Sequence, residues 1–409
     1  MYQNNLLKKI LDGMNILAVF FYSIVLVVFV NNPRLTYIEN YFGYLVLVVF
    51  ILQALIVYKK IYIPKIYLGF LLFLVSSVFL LIVNYNDSSY KLLISLIQIY
   101  IFSIIVYNML IYNNSSIPIE LGLVLGLMYS IYIGYFIGRD FFTGSMVQRF
   151  SGTLANPNHY SFMLTVALLL LTRRFLLYRH GNRTKKILNF LILFLIFIFS
   201  YEVIFYAISR QGVLLVLLLF GYLFFQLFKS SDTLGRMFLI MLGFILILFT
   251  WFTIKDVPLV YNRIGSLFSW FGRNSEFEID NSIYYRFSYM IDAYNIWLDK
   301  PIFGFGLHQF KYVNQSGVSH NNFFEILVNN GIVGFALYYV LYIYIYISYF
   351  KIRLFNNIDS NWILTVIIML FIADMTVLTY IEKPNWLIFS IVLFIINKYD
   401  NKNNFIIKL

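Results

Sequence analysis

Apolar and polar positions alternate along this chain in blocks, not residue by residue, so helical crossings and not strands are the first expectation. Apolar runs cover 14–30, 41–58, 66–83, 92–112, 119–137, 160–178, 187–206, 212–228, 237–254, 321–349, 362–380 and 386–397. At 1.5 Å per residue, about 20 apolar residues cross the roughly 30 Å hydrocarbon core of a bilayer. The pattern therefore predicts an all-α, polytopic integral membrane protein with about twelve transmembrane helices, folded as a single domain over 1–409. The run at 321–349 is longer than one crossing needs, which predicts tilt or extension past the membrane. The run at 386–397 is the shortest. Lys8 and Lys9 precede a run without a small-residue cleavage site, so the first span is expected to be retained.

One polar break differs from the others. Residues 255–320 form a stretch far longer than the remaining connections, and breaks of that length usually carry function. Within it, 257–271 and 283–298 show helical apolar spacing, as in Ile283, Phe287, Met290, Ile291, Tyr294 and Trp297. Such amphipathic segments suit a membrane surface. Pro301 and the Gly304/Gly306 pair end the second in a turn.

Composition then narrows the chemistry. The chain is 61% hydrophobic and 12% charged, half the charge of an average soluble domain. It has no cysteine, which excludes disulfides, thiol catalysis and cysteine metal sites. Its net charge of +12 is explained by placement and not by nucleic-acid binding. More than half of the 30 Lys and Arg fall in alternate breaks: Lys8/Lys9, Lys59/Lys60/Lys65, Arg173 to Lys186, Lys229/Arg236, Lys351/Arg353 and Lys398/Lys402/Lys408. The positive-inside rule then puts both termini in the cytoplasm and 255–320 outside, with anionic lipid touching the basic breaks.

Four polar stretches fall on the outer side: Gln148 to His159, Ser209-Arg210-Gln211-Gly212, Arg286, and Ser319-His320-Asn321-Asn322. Arg210 stands where a helix begins, and free N–H groups at a helix start favour a phosphate. Taken singly, Arg149, Arg210 and Arg286 suit lipid headgroups and His320 suits a cap. Their common side makes one shared substrate the sharper reading. Glu276, Glu278 and Asp280 alternate as a cation site would, though a solvated loop accounts for them as well. Glu325 can orient a neighbour. Asp374 within a span needs a partner, which is either structural or part of an ion pathway. No P-loop and no H-E-x-x-H motif occurs.

The pattern Arg149…Gly152-Thr153…Asn156-Pro157-Asn158, followed by Ser209-Arg210-Gln211-Gly212, resembles the O-antigen ligase and polymerase superfamily of bacterial membrane glycosyltransferases. So do Arg286…Trp297…Asp299-Lys300-Pro301-Ile302-Phe303-Gly304-Phe305-Gly306 and His320-Asn321…Phe324-Glu325…Gly331-Ile332-Val333-Gly334. The resemblance implies a GT-C-like fold and a sugar transferase that takes its donor from undecaprenyl diphosphate at the outer side of the cytoplasmic membrane. It implies His320 as general base, Arg210 and Arg286 as diphosphate ligands with Arg149 assisting, and Asn158, Asn321 and Glu325 in support. No metal or other cofactor is expected. The expected partners are lipid-linked oligosaccharide donor and acceptor, a chain-length-regulating co-polymerase, a flippase and membrane lipid, and no nucleic acid. A polymerase is favoured over a ligase. A transporter or flippase, with Asp374 as its coupling residue, is the alternative from another class.

Overall fold

The computed structural model describes residues 2–29, 36–136, 150, 153, 157–179, 182–255, 261, 281–314, 319–355, 357–400 and 404–409. Every predicted apolar run is matched by a helix. They are α1 (Tyr2–Phe29), α2 (Thr36–Leu52), α3 (Tyr67–Val83), α4 (Asp87–Asn113), α5 (Ile117–Phe136), α6 (Pro157–Tyr178), α7 (Arg183–Tyr201), α8 (Arg210–Ser230) and α9 (Thr233–Lys255). After α10 (Asn281–Asp299) and the short α11 (Phe310–Asn314) come α12 (Asn322–Arg353), α13 (Asn357–Asp374) and α14 (Lys383–Tyr399). Among the described residues, eight helical stretches are long and apolar enough to cross a membrane. The protein is an all-α polytopic membrane protein.

Internal contacts divide the chain into two compact units. One comprises Met1–Met128 with Arg286–Leu409, and the other Tyr129–Tyr285. In both, large apolar residues such as Phe79, Leu217 and Phe190 are exposed on the helices while polar side chains lie inside. That is the distribution expected where lipid is the solvent and hydrogen bonds join helices.

In the first unit, α12 packs along α3 and α13, and α14 packs along α4. The shortest predicted span corresponds to α14, which is buried continuously from Pro384 to Ile396. A helix that is apolar all round and buried on every side need not match the bilayer by itself.

The overlong tenth run has a different cause. Helix α12 is broken at Gly331, whose φ is +63°. The loop after α10 fills the break: Phe305 and Gly306 N–H donate to the carbonyls of Val328 (2.9 Å) and Asn329 (2.7 Å). Ile332 and Val333 N–H donate back to Pro301 (2.9 Å) and Ile302 (3.2 Å). A helix break at membrane depth leaves backbone groups that must be satisfied by protein, and this loop satisfies four of them. A Cβ on Gly304 (φ +75°) would lie 2.6 Å from the carbonyl carbon of Asn329, and one on Gly331 would meet the Ile302 carbonyl. The two glycine motifs of the sequence therefore pack against each other as a structural lock.

The sequence reading missed one feature. Strand β1 (Lys60–Pro64) pairs antiparallel with β2 (Asn404–Lys408), joining two basic breaks far apart in the chain. Lys8 also lies over the Tyr58 ring, with Nζ 5.6 Å from its centroid.

In the second unit, α6 is the central helix, buried from Tyr160 to Arg173 and flanked by α7 and α8. A π-helical turn, Glu202–Ala207, leads from α7 toward α8. Of the two helices expected within 255–320, 283–298 is observed as α10. Apart from Tyr261, the expectation over 257–271, like those on Glu276, Glu278 and Asp280, lies outside the described residues.

Candidate functional site

His320 sits in a two-residue turn that its buried neighbours build. Ser319 Oγ donates to the Asn321 carbonyl (2.9 Å) and accepts from the Asn321 N–H (3.2 Å). This holds His320 at φ +53°, a left-handed conformation uncommon outside glycine, and leaves its side chain exposed. Asn321 then caps α12, its Oδ1 accepting from Phe323 N–H (3.0 Å) and Phe324 N–H (3.2 Å). Glu325, fully buried, accepts from Ser319 N–H through Oε2 (3.0 Å) and from Asn329 Nδ2 through Oε1 (3.2 Å). Both of its oxygens are engaged, which suits a residue that holds the turn. Replacing Asn321 with Ala should cost about 1 kcal/mol of stability through loss of the cap. A lowered thermal midpoint of the purified protein would show it, and Asn321→Ser should restore most of the loss.

Arg286 belongs to the same unit. On α10 it shares a face with Met290, Ala293 and Trp297, at helical spacing. Ala293 is buried in a cluster with Phe310 and Val328. Trp297 Nε1 donates to the Pro301 carbonyl (3.1 Å), which also accepts from Ile332 N–H. Trp297 also packs against the Ala293, Phe310 and Val328 cluster, which joins α10 to α12 through these side chains.

The stretch between the glycine lock and α11 is docked on the turn between α3 and α4. Asn84 Nδ2 donates to the Phe305 carbonyl (2.8 Å), and Ser89 Oγ donates to that of Leu307 (2.6 Å). His308 falls here, half-buried and at φ +59°. Burial, aided by the Lys311 charge, pushes its pKa down.

Asp374 has its partners within the bundle. It accepts from Tyr339 OH through Oδ2 (3.0 Å) and from Thr379 Oγ1 through Oδ1. The Tyr339 oxygen accepts in turn from Asn322 Nδ2 (3.0 Å), so this acid is built into the support of α12's first turn. Such satisfaction gives Asp374 a structural explanation that needs no ion pathway.

The second unit carries Arg210 as the first residue of α8. Ile208 turns the chain through φ +45°, and Ser209 caps the helix, its Oγ accepting from Gly212 N–H (3.4 Å). The same hydroxyl donates to Asn158 Oδ1 (3.2 Å), which ties the start of α6 to the start of α8. Arg210 thus combines its guanidinium with the positive end of a 21-residue helix, the arrangement suited to a phosphate. Thr153 N–H donates to Ser130 Oγ on α5 (2.9 Å), and Phe150 N–H donates to the Tyr206 carbonyl (3.1 Å). Arg149 lies outside the described residues, as does His180.

Residues 192–339 match the family model described as O-antigen ligase. Over that stretch, less than half of its length, the chain is similar to the O-antigen ligase and polymerase superfamily. The matched stretch contains Arg210, Arg286, His320, Asn321 and Glu325, with both glycines of the lock. The match supports glycan transfer of the ligase or polymerase type. No curated protein matches the chain.

Sequence reasoning passed over Glu202. It is buried in the π-turn ahead of Arg210 and accepts from Tyr135 OH through Oε1 (2.7 Å). A lone acid inside an apolar run was the signal that could have found it. Among the described residues, no three His, Asp or Glu side chains gather as a metal site would require.

Proposed function

We propose that the protein polymerises undecaprenyl-diphosphate-linked oligosaccharide repeat units into O-antigen or capsular polysaccharide. The acceptor sugar hydroxyl bonds to the donor's anomeric carbon as the bond from that carbon to the diphosphate oxygen breaks. The electron pair leaves with the diphosphate, the hydroxyl proton passes to His320, and displacement inverts the anomeric centre. Arg210 and Arg286, with Arg149 assisting, balance the charge that grows on the leaving group through paired N–H donors, so that the step needs no metal. The reaction takes place on the outer side of the cytoplasmic membrane, with both chain termini inside. A co-polymerase and a flippase act before and beside it.

The observation that carries this reading is the exposed His320 on a turn fixed by buried Ser319, Asn321 and Glu325 at the head of a membrane helix. Preorganised groups of this kind are what general-base catalysis requires. The test is to incubate purified protein with a lipid-linked repeat unit and separate the products by size. A ladder of longer lipid-linked glycans is expected. Transfer of a finished glycan onto lipid A core or a protein without a ladder identifies a ligase. Absence of any transfer while the lipid-linked unit crosses vesicles overturns the proposal in favour of transport.

A further inference from the structure

The β1–β2 sheet carries a surface that glycan transfer does not use. Its inner edge is fastened to α4: Tyr62 N–H donates to Asn108 Oδ1 (2.7 Å), Asn108 Nδ2 donates to the Tyr62 carbonyl (2.7 Å), and Tyr112 OH donates to that of Lys60 (2.5 Å). Strand β2 is the outer strand. Phe405, Ile406 and Ile407 are each about half exposed, and because successive residues point to opposite faces, both faces of the strand are apolar and uncovered. Water is a poor solvent for such a strand.

Charge identifies the solvent that fits. Lys60 and Lys408 are direct cross-strand partners, and their side chains share one face of the sheet with Tyr62 and Ile406. Like charges placed directly opposite repel unless an anion sits between them. Lys59 precedes Lys60 in the chain, and Lys65 extends its Nζ to 5.9 Å from the Phe405 ring. Exposed apolar residues bordered by lysines form a surface that inserts at headgroup depth and draws anionic lipid.

We propose that the β1–β2 sheet is an interfacial anchor that binds an anionic phospholipid, with its phosphate between Lys60 and Lys408 and with Phe405, Ile406 and Ile407 among the upper acyl carbons. The chain lacks cysteine, so Ile406→Cys can carry a single fluorophore, and Leu217→Cys on the exposed face of α8 provides a lipid-facing control. The labelled full-length protein is placed in nanodiscs of phosphatidylcholine, with or without phosphatidylglycerol, and quenched by acyl-brominated lipid or by aqueous iodide. Retention of phosphatidylglycerol over phosphatidylcholine is measured in parallel by native mass spectrometry. Position 406 should be quenched by brominated lipid as strongly as 217. Each lysine should contribute about fivefold to the lipid preference, so Lys60→Gln with Lys408→Gln should lower it by about 25-fold. A label reached by iodide and not by brominated lipid overturns the proposal. So does one shielded from both, which would mean that protein covers the strand. Unchanged phosphatidylglycerol retention in the double variant overturns the phosphate site.

Discussion

Replacing His320 with alanine should lower polymer formation by about 10²- to 10⁴-fold, the usual contribution of a general base. The protein should remain folded and should keep its affinity for the lipid-linked donor. His320 is exposed, so its loss empties no core. Its turn is held by main-chain and side-chain atoms of Ser319, Asn321 and Glu325, and that support survives the change. His320→Gln should be as inactive, since an amide keeps a hydrogen bond but cannot take the proton. A base works only when deprotonated, so the wild-type rate should fall as pH is lowered, and the residual rate of the variants should lose that limb. His308, with its pKa pushed down by burial and Lys311, would place such a limb at lower pH. Glu325 has both oxygens committed. Retention of more than about a tenth of the activity in His320→Ala would transfer the role to His159, His308 or the substrate.

The second large effect is expected at the arginines. A hydrogen bond to a charged group contributes about 1.5–3 kcal/mol, so Arg210→Ala or Arg286→Ala should each lower activity roughly tenfold to a few hundredfold. Lysine should rescue only in part, because it keeps the charge and loses the two-pronged geometry. At position 210 the rescue should be better than at 286. The positive end of α8 remains beside the lysine, whereas Arg286 lies beyond the first turn of its own helix. Full-length polymer from either alanine variant at normal expression would remove that residue from the diphosphate site.

The spans were legible because an apolar run of bilayer length has few other uses, and each predicted run corresponds to a helix. The outcome at 321–349 was legible only as excess length. The reason for it, Gly331 broken out of the helix and bonded by the loop at 301–306, depends on two motifs finding each other in space. The strands were not legible, since five residues with lysine at one end give too short an alternation to separate from a loop. Nor was the conformation of His320, because nothing in its residue type demands a positive φ, and it is Ser319 and Asn321 that impose it. The side chains most readable as chemistry were charged or imidazole groups at span ends, where ions are rare enough to be informative.

The pairing of β1 with β2 also orders events during synthesis. Lys60 leaves the ribosome more than three hundred residues before Lys408, its partner. At 5–20 residues per second, that interval is on the order of tens of seconds. Throughout it β1 has one edge covered by Asn108 and Tyr112 once α4 is in place, and the other edge open to any strand it meets. Lysine at such an edge discourages pairing with foreign strands. Lys59 and Lys60 thus guard a nascent edge until residues 404–408 emerge and close it.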